Sequence, residues 1–127
     1  MSGNGILLDT NVLIYLSKGQ IQASRLIKDG KEYFVSLITA MELLSYRFDS
    51  EDEETLVRQI LSLFEVIEVT LPLSPLVTQL RRTQPLKLPD AIIAATAHYH
   101  DLTLITNDLR LLKIDKIRSH KPEGLHA

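Results

Sequence analysis

The sequence contains no cysteine and no tryptophan. Without cysteine there is no disulfide framework and no thiolate metal site, and the chain fits a reducing compartment. Aromatic residues are scarce, at 6%, so rings able to stack on bases are few, and Tyr15, Tyr33, Phe34 and Phe64 are expected in the core. Long apolar runs are missing too. The longest extend over only a few residues, far short of the ~20 that span a bilayer, and no basic-then-apolar leader opens the chain. A soluble, cytoplasmic protein is the expectation. Neither sign of charge prevails: the formal net charge is -2. This argues against a dedicated nucleic-acid binder with a basic face, although it leaves room for a local cationic groove.

What is present is 127 residues, 45% of them hydrophobic, enough for one domain with a real core spanning residues 1–127. Short apolar runs predict strands at 5–8, 33–36, 65–69 and 103–105, with a weaker one at 114–118. Helical spacing fills the intervals at 10–17, 20–28, 38–46, 51–63, 74–84 and 89–99, and a short turn of helix is expected at 108–112. Strands alternating with helices require crossover connections, hence an α/β fold: a three-layer α/β/α sandwich on a mainly parallel sheet of four to five strands. Ser50-x-x-Glu53 reads as a capping box, Pro75 as a first-turn proline, and Pro85 as a helix stop. The acidic run Asp49 to Glu54 suits the positive end of a helix dipole. Residues 119–127 read as a loose tail.

Ligands of open parallel sheets bind outside the carboxyl ends of the strands, which draws attention to four acids. Asp9 interrupts GILLDTNVLIYL directly after the first strand. Asp108 follows the fourth strand in LITND, Asp90 opens PDAIIAATAHY, and Glu42 lies in SLITAMELLSY after the second strand. Each has a purely structural alternative. Asp9, Asp90 and Asp108 stand where aspartate caps a helix, a role contributing about 0.5–2 kcal/mol, and Glu42 is three residues from Thr39 in what reads as a second capping box. If the first strand is central, however, all four converge on one cleft. Gathered carboxylates repel and raise one another's pKa unless a divalent cation neutralises them. All-oxygen ligands without cysteine select a hard ion, Mg²⁺ or Mn²⁺, suited to phosphoryl chemistry. His98 and His100, two apart near a helix end, point in different directions and make a poor chelate.

Asp9-Thr-Asn-Val, Glu42, Pro89-Asp90-Ala-Ile-Ile-Ala-Ala-Thr-Ala and Leu104-Ile-Thr-Asn-Asp108, in this order across nearly the whole chain, resemble the PIN domain, and more narrowly the VapC-type toxin ribonucleases of toxin–antitoxin pairs. The resemblance implies a metal-dependent endoribonuclease acting on transfer or other structured RNA. It makes Asp9, Glu42, Asp90 and Asp108 the catalytic and metal-binding acids, with Asn11 and Thr106 as polar supports. It also implies a homodimer and a VapB-type antitoxin. One departure stands out: where many members continue Asp-x-x-Asp-Phe, this chain has Asp108 followed by Leu109-Arg110-Leu111-Leu112. A fifth carboxylate is therefore missing, which favours a single firmly held ion. Among the cations available for RNA phosphates, Lys87 and Arg110 are the two expected to flank the cleft. Two other readings compete: a phosphatase or phosphotransferase using Asp9 as nucleophile, and a PIN-like fold kept as an interaction module.

Overall fold

The structure, a computed structural model, describes residues 4–124. Five strands form one sheet in the order β3-β2-β1-β4-β5, and every neighbouring pair is parallel. They are β1 (Gly5–Leu8), β2 (Glu32–Ser36), β3 (Glu65–Ile67), β4 (Thr103–Ile105) and β5 (Ser119–His120). The helices are α1 (Thr10–Ser17), α2 (Ala23–Leu26), α3 (Leu37–Leu44), α4 (Glu51–Leu61), α5 (Ser74–Thr83), α6 (Leu88–Tyr99) and α7 (Leu109–Leu112), with one 3₁₀ turn at Leu71–Leu73.

Strand alternation divides the core into two layers. Leu7, Phe34 and Leu104 face α5 and α6, while Ile6, Leu8, Val35 and Ile105 face α1, α3 and α4. Both faces of β1 are thus covered, and all four of its residues are buried. On α6, Ala91, Ala94, Ala95 and Ala97 are completely buried, small enough to bring the helix close to the sheet. Gly5 allows a similar approach, since a Cβ there would collide with the Leu102 side chain.

The sequence-based expectations and the fold differ in three places. The stretch 114–118 is not a strand: Ile114 and Ile117 are buried anchors of a turn, and the pairing to β4 is made just beyond it. β5 therefore falls in the segment expected as a loose tail, with Ser119 and His120 in register with Leu104 and Ile105; residues 125–127 of that segment lie outside the described residues. The helix expected over 20–28 is reduced to the single turn α2, which ends where Ile27 turns to extended backbone ahead of a positive-φ turn at Gly30. Finally, Thr39 caps nothing. Helix α3 begins two residues earlier, with Ser36 as its cap accepting from the Ile38 N–H at 3.2 Å, so Glu42 is not tied back to its own helix start.

The other helix punctuation holds. Ser50 accepts from the Glu53 N–H at 3.1 Å, and Glu51 to Glu54 occupy the first turn of α4, where carboxylates suit the dipole. Pro75 lies in the first turn of α5.

Candidate active site

The carboxyl ends of β1 and β4 are held together by the register Leu8 to Ile105 and by the Asp9 N–H donating to the Ile105 carbonyl at 3.0 Å. Each strand then delivers an aspartate. Asp9 is 4% exposed and uses both oxygens. Oδ1 accepts from the Thr10 N–H at 2.8 Å, capping α1, while Oδ2 accepts from the Thr106 hydroxyl at 2.6 Å and from Asn11 Nδ2 at 3.3 Å. Its capping role and its place in the site are therefore compatible. Burial pushes the Asp9 carboxyl up to about 6, opposed by the Thr106 and Thr10 bonds and reinforced by the charges of Asp90 and Asp108.

Thr106 is fully buried and joins two acids: its hydroxyl donates to Asp9 and accepts from the Asp108 N–H at 3.0 Å. Asp108 caps α7, and Arg110 dominates its surroundings. Arg110 gives its backbone N–H to Oδ1 at 2.9 Å, its Nε to the same oxygen at 3.2 Å, and its Nη2 to Oδ2 at 2.9 Å. The Asp108 carboxyl is held below the usual range, chiefly by the Arg110 side chain. The same Nη2 lies 3.4 Å from Asp90 Oδ2. At the head of α6, the Asp90 carboxyl is raised, first by burial and then by Asp108, against the lowering influence of Arg110 and Lys87. Arg110 thus lies between Asp108 and Asp90, while Lys87 occupies the N-cap position of the helix that Asp90 opens.

Glu42 approaches through Thr10 and not through the other acids. The Thr10 hydroxyl donates to Glu42 Oε1 at 2.8 Å and lies 3.0 Å from the Thr39 hydroxyl. The four acids accordingly do not close into one cage. Among the described residues no three His, Asp or Glu side chains are grouped so as to hold an ion, because Asp108 is turned onto Arg110 and Glu42 onto Thr10. The donor set nevertheless suits a hard divalent ion. It is all carboxylate oxygen, Asp9 carries a buried charge opposed by two neighbouring acids, and Mg²⁺ commonly takes one or two carboxylates and keeps its remaining waters. The chain itself now supplies a cation there, the Arg110 guanidinium.

Sequence reasoning missed Thr10, Thr39, Tyr15 and Asn107. Asn107 gives its N–H to Asn11 Oδ1 at 3.4 Å and its Nδ2 to the Tyr15 hydroxyl at 3.1 Å, bracing the loop that carries Asp108 against α1. The polar triplets DTN and TND, mirrored at two strand ends, were the available signal. Phe34 and Phe64 are in the core as expected, whereas Tyr15 and Tyr33 are only half-buried. Among the described residues His98 and His100 belong to no metal-ligating group.

Residues 6–117 match the PIN domain. The chain belongs to the PIN domain family. Among solved structures, this PIN domain is similar to a chain of a toxin–antitoxin complex from Klebsiella pneumoniae, at 35% identity and TM-score 0.75, with 88% of this chain and 94% of that one covered. It is also similar to a chain of a DNA-bound VapBC from Salmonella typhimurium, at 26% identity and TM-score 0.79, covering 92% and 97%. At 20% identity, a chain of VapBC2 from Rickettsia felis bound to a promoter DNA fragment shares the fold, with TM-score 0.81 over 94% and 99%. No curated protein matches in sequence. Among the described residues no helix is long and apolar enough to cross a membrane.

Proposed function

We propose that this PIN domain is a divalent-metal-dependent endoribonuclease, a VapC-type toxin acting on transfer or other structured RNA. The observation that carries the reading is the linkage of three acids at adjoining strand and helix ends, Asp9 to Asp108 through the Thr106 hydroxyl and Asp108 to Asp90 through Arg110, within a chain of a nuclease family. Asp9, Asp90 and Asp108 would hold Mg²⁺ or Mn²⁺, with Glu42 completing the acidic set from the Thr10 side. Such an ion, when bound, supplies hydroxide near neutral pH and stabilises charge on the phosphate. The chain's own groups do the rest: Thr106 and Asn11 fix Asp9, and Arg110, once released from Asp108, offers a planar donor pair to the RNA phosphate. The complexes among the structural neighbours support a VapB-type antitoxin as partner of a homodimer. So do the exposed apolar residues Met41 and Leu44 on α3, the helix that bears Glu42.

Cleavage of RNA by the purified chain should require Mg²⁺ or Mn²⁺, stop with EDTA, and disappear in a folded Asp90→Asn variant; cleavage persisting in EDTA would refute the reading. Two further variants probe individual residues. Arg110→Ala removes the competing cation, so Mn²⁺ binding measured by calorimetry should tighten about fivefold, while weaker binding would show that the guanidinium assists the ion. Glu42→Gln keeps an acceptor for Thr10, so the melting temperature should stay near that of the parent while cleavage falls about tenfold or more. Lost stability with cleavage retained would give Glu42 a structural role only.

A further inference from the structure

A second concave feature lies beside α2 and β5, and none of the four acids lines it. A cavity of about 620 Å³ opens between the single-turn α2 and β5, over the buried side chains of Ile6 and Ile105. Its floor is apolar, formed by Ile6, Leu26 and Ile105, with Tyr33 as a wall. The Tyr33 hydroxyl is fixed between the Lys28 N–H at 2.7 Å and the Leu26 carbonyl at 3.2 Å, so the ring is held in place.

The rim is cationic. Arg25, Lys28, Lys31 and Arg118 line it, and among the described residues the lining carboxylate is Glu123, in a chain whose net charge is -2. Lys28 is paired with Glu123 at 3.1 Å and Arg118 with Asp101 at 2.7 Å. Among the described residues no ion pair engages Arg25 or Lys31. None of Asp9, Glu42, Asp90 and Asp108 lines the cavity.

An apolar chamber with unspent positive charge at its mouth selects a ligand that is flat and apolar at one end and anionic at the other. The volume falls within the ~300–1,000 Å³ of small-molecule sites. An acidic peptide would satisfy the rim and leave the floor empty. We propose that this cavity binds a nucleotide, its phosphate at Arg25 and Lys31 and its base against Tyr33 and the apolar floor. The nucleotide is either free or one unit of an RNA strand, and the RNA source rests on the nuclease reading above.

The test uses the full chain in EDTA, with adenosine 5′-monophosphate as probe and NMR as readout. Signals of Tyr33 and Leu26 should shift, adenosine should bind more weakly, and an Arg25→Glu/Lys31→Glu double variant, altered only at exposed positions, should lose about tenfold or more in affinity while melting like the parent. A single-stranded hexanucleotide that displaces the probe identifies RNA as the source; failure to displace it identifies the free nucleotide. Absence of binding, binding unaffected by the double variant, shifts confined to Thr10 and Asp108, or a glutamate-rich peptide occupying the cavity in place of the nucleotide would each overturn the proposal. The two readings fail separately: the titration is independent of cleavage, and cleavage of a short RNA at the acids does not require the cavity.

Discussion

An Asp9→Asn variant should lose RNA cleavage by about a thousandfold or more and yet melt at a higher temperature than the parent well above pH 6. The activity follows from removing a buried carboxylate that the proposed site uses to hold the ion. The stability follows from its proton equilibrium. The Asp9 carboxyl is pushed from its ordinary value of 3.8 up to about 6 in the folded chain, so the folded chain holds this proton more tightly than the unfolded one. Its contribution is complete below pH about 4 and is withdrawn as the pH rises through 6, a loss of about 3 kcal/mol. Asparagine removes that pH-dependent loss. Part of the gain is returned because Thr106 and Asn11 then meet an amide where a carboxylate oxygen stood, leaving about 1–3 kcal/mol, or several degrees. The difference between variant and parent should shrink toward pH 4. Mn²⁺ should raise the melting temperature of the parent and leave the variant largely unmoved. A variant less stable than the parent at every pH would show that burial does not strain this carboxylate.

The second large effect belongs to Thr106. Thr106→Val preserves shape while removing the hydroxyl that bonds Asp9 at 2.6 Å and receives the Asp108 N–H at 3.0 Å. A hydrogen bond to a buried charge is involved, so unfolding by denaturant should show a loss of about 2–4 kcal/mol above pH 6. Because the Thr106 bond lowers the Asp9 carboxyl, its removal should raise that carboxyl further. Metal ligands act deprotonated, so the acid limb of the cleavage profile should move to higher pH. Thr106→Ser retains the hydroxyl and should restore both properties. An unmoved acid limb in the valine variant would mean that Thr106 supports only the fold.

The parts of the site legible in the sequence were those written in local pattern. An apolar run ending in Asp9, and an alanine-rich helix opened by Asp90, place both acids without reference to the rest of the chain, and β1 is central as that placement required. What sequence could not show were relations made by packing. Thr39 and Glu42 have the spacing of a capping box, but the buried Ser36 captures the helix start first, and Thr10 takes both side chains. β5 was hidden because a two-residue edge strand of Ser and His carries no apolar signal. The cationic cavity was hidden because Arg118 joins Arg25, Lys28 and Lys31 only once the fold brings these distant segments to one cavity.

The bond from Thr106 to Asp9 spans 97 residues, and β4, which carries Thr106 to that bond, pairs in parallel with the very first strand. Contacts so distant in sequence carry a large loop-closure cost and need both strands present before they form. A ribosome part-way through this chain therefore displays β1 and α1 but none of the acids' mutual arrangement. A chain interrupted before β4 holds Asp9 and Glu42 without Thr106 or Asp108, and so lacks the partners with which the proposed site is assembled.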